Sequence, residues 1–280
     1  MKHREETFSG IRGTTIYCQD WQPDDAPQAV LVIVHGLAEH CGRYGNLVDR
    51  FVRRGYAVHA HDHIGHGRSE GRRVFVRRFE DLTDVLEIQV NRVFDQHPDA
   101  PVYLVGHSIG ALIGAVFLLD RQEAFAGAIL SGSVVKVPEN ISPIVVAMAR
   151  VLSAILPKVG VSAVDAQGVS RDPAVVKAYL DDPLVYTGKT TARMGAEMLK
   201  AMRRTTREAA RLTLPLLILH GSEDTLADPD GARMLHDAAS SPDKTLKIYH
   251  GLHHEIYNEP EHDQVLGDVE AWLTARLETR

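Results

Sequence analysis

Val102-Tyr103-Leu104-Val105-Gly106-His107-Ser108-Ile109-Gly110-Ala111-Leu112-Ile113-Gly114 is the stretch on which the reading of this chain turns. Its first four residues form a short, continuously apolar run, as in a strand covered on both faces, and Ala111 to Leu119 follows with helical character. Between them stands Gly106-His107-Ser108-Ile109-Gly110. A serine on a strained turn between strand and helix holds its hydroxyl clear of the backbone. The positions two before and two after it must then be minimal, because backbone and neighbouring elements crowd there. Both are glycine. A Gly-x-Ser-x-Gly match also arises by chance, and a plain strand-to-helix turn is its ordinary meaning. With a strand before it and a helix after it, Ser108 becomes the candidate nucleophile.

Similar apolar runs extend outward from this one. Ala29 to Val34 is unbroken and β-branched, and Tyr56 to Ala60, Gly127 to Leu130, Leu216 to Leu219 and Leu246 to Tyr249 repeat the theme, mostly separated by helical periodicity. Strands alternating with helices imply one open, mostly parallel sheet with helices on both faces, and ligands at the strands' carboxyl ends. Two runs near the start, Glu6 to Phe8 and Thr15 to Trp21, suggest an opening hairpin. From about Val134 to Arg204 no strand is convincing, and Ser142-Pro143, Pro157 and Asp172-Pro173 read as a helix start, a stop and another start. The expected architecture is an α/β-hydrolase fold: a core over residues 1–133 and 205–280, with a helical cap over residues 134–204.

Composition fits an ordinary globular protein, with 280 residues, 44% hydrophobic and 24% charged. The net charge of -6 and the lack of a basic stripe argue against a nucleic-acid partner. Arg72-Arg73 and Arg77-Arg78 are interleaved with apolar residues and read as a solvated face. Two cysteines, Cys18 and Cys41, provide no disulfide framework, and the charged amino terminus leads into no signal-length apolar run, so a cytoplasmic location is expected. The most apolar stretch, Ile141 to Leu156, is too short to span a bilayer.

A serine hydroxyl is a weak nucleophile near neutral pH and needs a base, and the base needs a group that fixes its tautomer and stabilises its cation. In this fold the order along the chain is Ser, acid, His. Leu216 to Leu219 leads into His220-Gly221-Ser222-Glu223-Asp224, which makes Asp224 the candidate acid with Glu223 its near competitor; Asp228, before Pro229, reads as a helix N-cap. After the last strand, His250, His253 and His254 all offer an imidazole, and strand alternation does not separate the latter two. Two backbone amides must meet the developing oxyanion: that of Ile109, directly after the nucleophile, and that of Leu37, in the turn after Val34.

A rival site is His59-Ala60-His61-Asp62-His63 with His66, residue types that bind zinc at close spacing. Strand alternation aligns these histidines only if the strand continues through Asp62, and Gly65 and Gly67 mark a turn instead. A buried, hydrogen-bonded turn beside the active site is the favoured reading, with no metal and no other cofactor.

With these residues in place the chain resembles the monoacylglycerol lipases, the bacterial ones above all, over nearly its whole length. The carrying segments are His35-Gly36-Leu37-Ala38-Glu39-His40-Cys41-Gly42-Arg43-Tyr44, His61 to Ser69 with its Gly65-His66-Gly67-Arg68-Ser69 turn, Gly106 to Gly110, and Leu246-Lys247-Ile248-Tyr249 followed by Gly251 and His254. The resemblance selects His254 as the base. It implies that Glu39, Arg43, His107 and Tyr179 bind the glycerol moiety, although a Glu39–Arg43 pair can equally serve to pin its loop. Ala111 departs from the glycine many members carry, and the regulatory cysteines of the mammalian enzymes have no counterpart in the cap. The implied activity is hydrolysis of monoacylglycerols or related lipid esters through an acyl-enzyme, with lysophospholipase or short-chain esterase as alternatives. Ile144, Val145, Met148, Val151, Leu152 and Leu156 lie at helical spacing and are expected either to line an acyl tunnel and touch a membrane surface or to form buried cap core. The oligomeric state is not legible.

Overall fold

The computed structural model of the chain describes residues 1–136 and 151–278. In chain order the strands are β1 (Lys2–Ser9), β2 (Thr15–Gln22), β3 (Ala29–Val34), β4 (Tyr56–His61), β5 (Val102–His107), β6 (Gly127–Ser131), β7 (Gly160–Ser162), β8 (Thr190–Thr191), β9 (Leu216–Gly221) and β10 (Lys244–Tyr249). The α-helices are α1 (Gly45–Arg53), α2 (Glu80–Gln96), α3 (Ile109–Arg121), α4 (Pro173–Asp181), α5 (Ala192–Glu208), α6 (Pro229–Ala238) and α7 (His262–Leu277), and residues 151–155 are also helical. Eight strands form one sheet in the order β1-β2-β4-β3-β5-β6-β9-β10. The β1/β2 and β2/β4 pairs are antiparallel and the remaining pairs parallel, which is the architecture of the α/β-hydrolases.

The unbroken apolar runs follow from burial on both faces. Val30, Val32 and Val34 of β3, with Val102 and Leu104 of β5 and Leu216 and Ile218 of β9, pack under α2, α3, α5 and α6. The alternate residues, Leu31, Ile33, Tyr103, Val105, Leu217 and Leu219, pack against α1 and α7 on the other face. Because β3, β5, β6, β9 and β10 run in the same direction, their carboxyl ends share one edge of the sheet. The parallel register Val34↔Gly106 and Tyr249↔Gly221 aligns those ends.

The segment expected to be helical throughout contains a short antiparallel ribbon, β7 with β8, which corrects that expectation. Strands of three and two residues are too short for a period-2 pattern to show. Asp172 caps α4 through the Ala174 amide (2.8 Å) with Pro173 in its first turn, and the helical stretch ends before Pro157. α5 runs past Arg204 to Glu208, and its Met194, Ala201 and Met202 join the core beneath the sheet. Ser142-Pro143, Ile144, Val145 and Met148 lie outside the described residues. Among the described residues no helix is long and apolar enough to cross a membrane.

Candidate active site

Ser108 stands between β5 and α3 with φ 57° and ψ -121°, a backbone conformation that a side chain rarely adopts. The turn is held by the Ser108 amide donating to the Ser131 carbonyl at 2.9 Å. Its glycines are required sterically. A Cβ on Gly110 would lie 1.9 Å from the Val34 carbonyl oxygen, and one on Gly106 would lie 2.7 Å from that of Gly110. Ile109 opens α3 and so has no intrahelical acceptor for its amide. Leu37 follows β3 in the facing turn, beside Ala38, whose φ is 65°. Neither amide has a protein acceptor among the described residues, and both residues line the same cavity as Ser108.

Asp224 and His254 come from the loops after β9 and β10. Asp224 Oδ1 accepts from the Leu226 and Ala227 amides (2.8 and 2.9 Å), which fixes the carboxylate plane and leaves Oδ2 for His254 Nδ1 at 2.6 Å. Both side chains are buried. Burial works to raise the Asp224 carboxyl, but the His254 charge and the hydrogen bonds from His220 and His254 outweigh it and hold the group well below the usual carboxylate range. For His254, burial pulls downward, and the Asp224 charge and hydrogen bond win and raise it. The competitors lie elsewhere. Glu223 is exposed and takes a hydrogen bond from Ser222 Oγ (3.2 Å), Asp228 caps α6 through the Asp230 amide (2.9 Å), His250 is exposed, and the half-buried His253 gives its amide to Glu259 Oε1 (3.1 Å).

The four residues implied by resemblance also gather here, in unequal roles. Glu39, His107 and Tyr179 line the cavity; Arg43 lies behind them. Glu39 Oε1 accepts from the Gly36 amide (2.5 Å) and the Tyr44 hydroxyl (2.8 Å), and Oε2 accepts from Arg43 Nε (3.2 Å), so this carboxylate does pin the loop after β3. Burial, then the Glu255 charge, push the Glu39 carboxyl upward against the pull of Arg43, Tyr44 and Gly36. His107 packs 4.8 Å from the His254 ring, between centroids, and burial together with the His254 charge keeps it neutral. Tyr179 stacks on the Arg43 guanidinium at 4.7 Å, and its hydroxyl is buried with no partner among the described residues.

Sequence reasoning missed two residues of this site. Glu255 takes Arg43 Nη2 on both carboxylate oxygens (2.8 and 2.6 Å), and His220 Nε2 lies 3.0 Å from Asp224 Oδ2. A polar residue closing the apolar run of β9 at the sheet's carboxyl edge was a usable signal for His220. For Glu255 the only signal was its position next to His254.

The cavity has a volume of about 1250 Å³, larger than the roughly 300–1,000 Å³ of ordinary small-molecule pockets. Away from Ser108 its walls are apolar, including Leu152, Ile155, Leu156, Val161, Met198 and Leu199.

The rings of His61, His63 and His66 pack together, at 5.2 Å between His61 and His63 and 5.8 Å between His63 and His66, but their nitrogens do not form a ligand set among the described residues. β4 ends at His61, before Asp62. His59 Nε2 faces His97 (3.0 Å) and Gln22 (3.2 Å), His61 packs edge-on to Phe8, and His63 Nε2 bonds the His35 carbonyl (2.9 Å). Asp62 serves the backbone, accepting from the Cys41 and Arg68 amides (2.8 and 2.7 Å). Among the described residues no group of three or more His, Cys, Asp or Glu is arranged to hold a metal ion.

A parallel sheet that presents a serine on a positive-φ elbow, a carboxylate and an imidazole at one edge defines the class, an α/β-hydrolase. Residues 25–261 match the family described as serine aminopeptidase, S33. The monoacylglycerol lipase of Mycolicibacterium smegmatis is 40% identical over 273 residues, 98% of each chain, and the monoglyceride lipase of Rattus norvegicus is 38% identical over 95% of this chain and 88% of its own. Among solved structures, the monoacylglycerol lipase of Paleococcus ferrophilus matches with a TM-score of 0.81 at 29% identity, over 99% of this chain and 100% of that one. The chain belongs to the S33 family of serine hydrolases and, within it, to the monoacylglycerol lipases.

Proposed function

We propose that this enzyme hydrolyses monoacylglycerols to free fatty acid and glycerol through an acyl-enzyme intermediate. The observation that carries the reading is the meeting, at Ser108, of a long apolar cavity with a short polar wall of Glu39, His107 and Tyr179. The acyl chain enters the first, and the glycerol moiety faces the second.

Ser108 Oγ adds to the ester carbonyl as His254 takes its proton. Asp224 holds the tautomer with the base nitrogen free and stabilises the imidazolium. The Leu37 and Ile109 amides receive the oxyanion, each such donor lowering the barrier by about 3 kcal/mol. The tetrahedral intermediate then collapses, and His254 returns the proton to the departing glycerol oxygen. Water repeats the sequence, giving its proton to His254 and its oxygen to the acyl carbon, and Ser108 recovers its proton as the fatty acid leaves. Glu39 and Tyr179 orient the glycerol hydroxyls, and Arg43 acts through its hold on Glu39. No step calls for a cofactor.

The described part of residues 134–204, namely 134–136 and 151–204, acts as the cap over this cavity, with Val134, Leu152, Val164, Tyr179 and Leu199 in its lining. Val151 and Ile155 are 58% and 71% exposed, with Leu156, Val159 and Val161 exposed beside them, and such an apolar rim suits transient docking on a lipid surface. Two free, buried cysteines suit the cytoplasm as the compartment from which the enzyme reaches that surface.

Ser108→Ala is expected to lose both monoacylglycerol turnover and covalent labelling by a fluorophosphonate. Persistent labelling would overturn the assignment of the nucleophile, and turnover of diacylglycerols as fast as monoacylglycerols would overturn that of the polar wall.

A further inference from the structure

The polar wall carries a charge pattern that ester cleavage does not require. Glu255 also lines it, and Arg43, directly behind it, is its cation, with a side chain only 9% exposed. A guanidinium at the alcohol end of a lipid cavity is a natural seat for phosphate, whose oxygens match its fork of donors. Here that seat is taken. Nη2 donates to both oxygens of Glu255 (2.8 and 2.6 Å), Nε donates to Glu39 (3.2 Å), and Tyr179 covers the guanidinium face. Glu255 is itself held by Asn258 Nδ2 at 2.9 Å, while its amide donates to the Val169 carbonyl at 2.8 Å.

The sum of charges decides what such a wall accepts. One arginine against two carboxylates leaves -1, and a proton on Glu39 brings the total only to zero. Asp224 adds a further negative charge close by, His107 adds none, and His254 is neutral in the form that acts as base. A phosphate brought here would lose its water and find no free cation among the described residues, a heavy penalty for a buried anion. The hydroxyls of a neutral polyol are donors that carboxylate and phenol oxygens can accept. Pinning the loop after β3 does not explain Glu255, because Glu39 already holds that loop through Gly36 and Tyr44.

We infer that Glu255 is a specificity-determining residue: by occupying Arg43 it reserves the alcohol end of the cavity for neutral leaving groups and excludes lysophospholipids and other phosphate-bearing monoacyl esters. The inference rests on reading this cavity as the ester site.

The test compares kcat/KM on 1-oleoylglycerol and 1-oleoyl-lysophosphatidic acid in the same mixed micelles. The wild type is expected to favour the neutral ester by roughly 100-fold or more, and Glu255→Gln to reduce that ratio at least about tenfold by gaining on the phosphate ester. An unchanged ratio in a folded, active variant overturns the inference. If the variant does not fold, the wild type alone decides. The second phosphate ionisation lies near pH 6, so the preference should widen several-fold between pH 5.5 and 8, His254 titration cancelling in the ratio; a flat ratio overturns the inference. Equal wild-type turnover of both lipids also overturns it while leaving the ester-hydrolase reading intact. Ser108→Ala retaining activity on 1-oleoylglycerol would overturn that reading instead.

Discussion

His220 Nε2 lies 3.0 Å from Asp224 Oδ2, the same oxygen that receives Nδ1 of His254 at 2.6 Å. It also lies 3.0 Å from the Ala227 carbonyl. Both neighbours accept, so Nε2 carries the proton, and Nδ1 is left buried without a partner among the described residues. His220 is therefore a positioning residue that shares the carboxylate's charge with the base. Replacement by Ala should lower kcat about 10- to 100-fold and move the acid limb of the pH profile upward, because Asp224 would then stabilise the His254 cation more strongly. Gln keeps a donor and should restore most of both. A loss of rate with an unmoved limb, in both variants alike, would reduce His220 to a packing role.

The same pair fixes the pH dependence. His254 must be neutral to act as base, and its raised pKa means that kcat/KM falls as pH drops through a value above the ordinary 6.5 or so of imidazole. Asp224→Asn should remove that elevation and cost about 10⁴ in kcat. The stability terms have opposite signs. The raised His254 contributes below its unfolded value and fades as pH rises through the folded one, whereas the depressed Asp224 contributes above about 3.9 and is lost in acid. A pH–rate profile with its acid limb below 6.5 would contradict this electrostatic balance.

The exposed rim of the cap predicts a surface affinity separable from chemistry. Ile155→Glu combined with Val159→Glu should lower partition onto phosphatidylcholine vesicles by at least about tenfold, since each apolar side chain removed from water contributes roughly 1.5–3 kcal/mol. Co-sedimentation measures it directly, and unchanged partition would remove the rim from the account of how substrate is reached.

Incubation with a chelator followed by buffer exchange is expected to leave turnover of a soluble ester unchanged, because the packed imidazoles of His61 and His63 and the His59–His97 pair form no metal-holding group among the described residues. Loss of activity restored by zinc would revive the histidine cluster as a functional centre.

The residues that were legible in the sequence owe this to local constraints. The Ser108 elbow shows because steric crowding demands glycine at two fixed offsets, and the buried strand Leu216 to Leu219 narrows the acid to Asp224 with Glu223 as near competitor, of which the structure buries only Asp224. His254 needed the resemblance, since His253 beside it satisfies the same local rules; the structure buries one and leaves the other half-exposed. The β7/β8 ribbon escaped because its strands are shorter than the period that would reveal them. Glu255 escaped for a different reason. Its meaning lies in Arg43, 212 positions earlier, and a pairing across that separation leaves no trace in a single sequence.

The backbone of Ser108 has one more consequence. A non-glycine residue at φ 57° costs of order 1–3 kcal/mol, a cost the fold sustains only because the surrounding turn is over-determined. The enzyme thus spends part of its folding margin on presenting one hydroxyl. Ser108→Gly should melt a few degrees higher than the wild type while having no activity, so selection for thermal tolerance alone would act against the nucleophile.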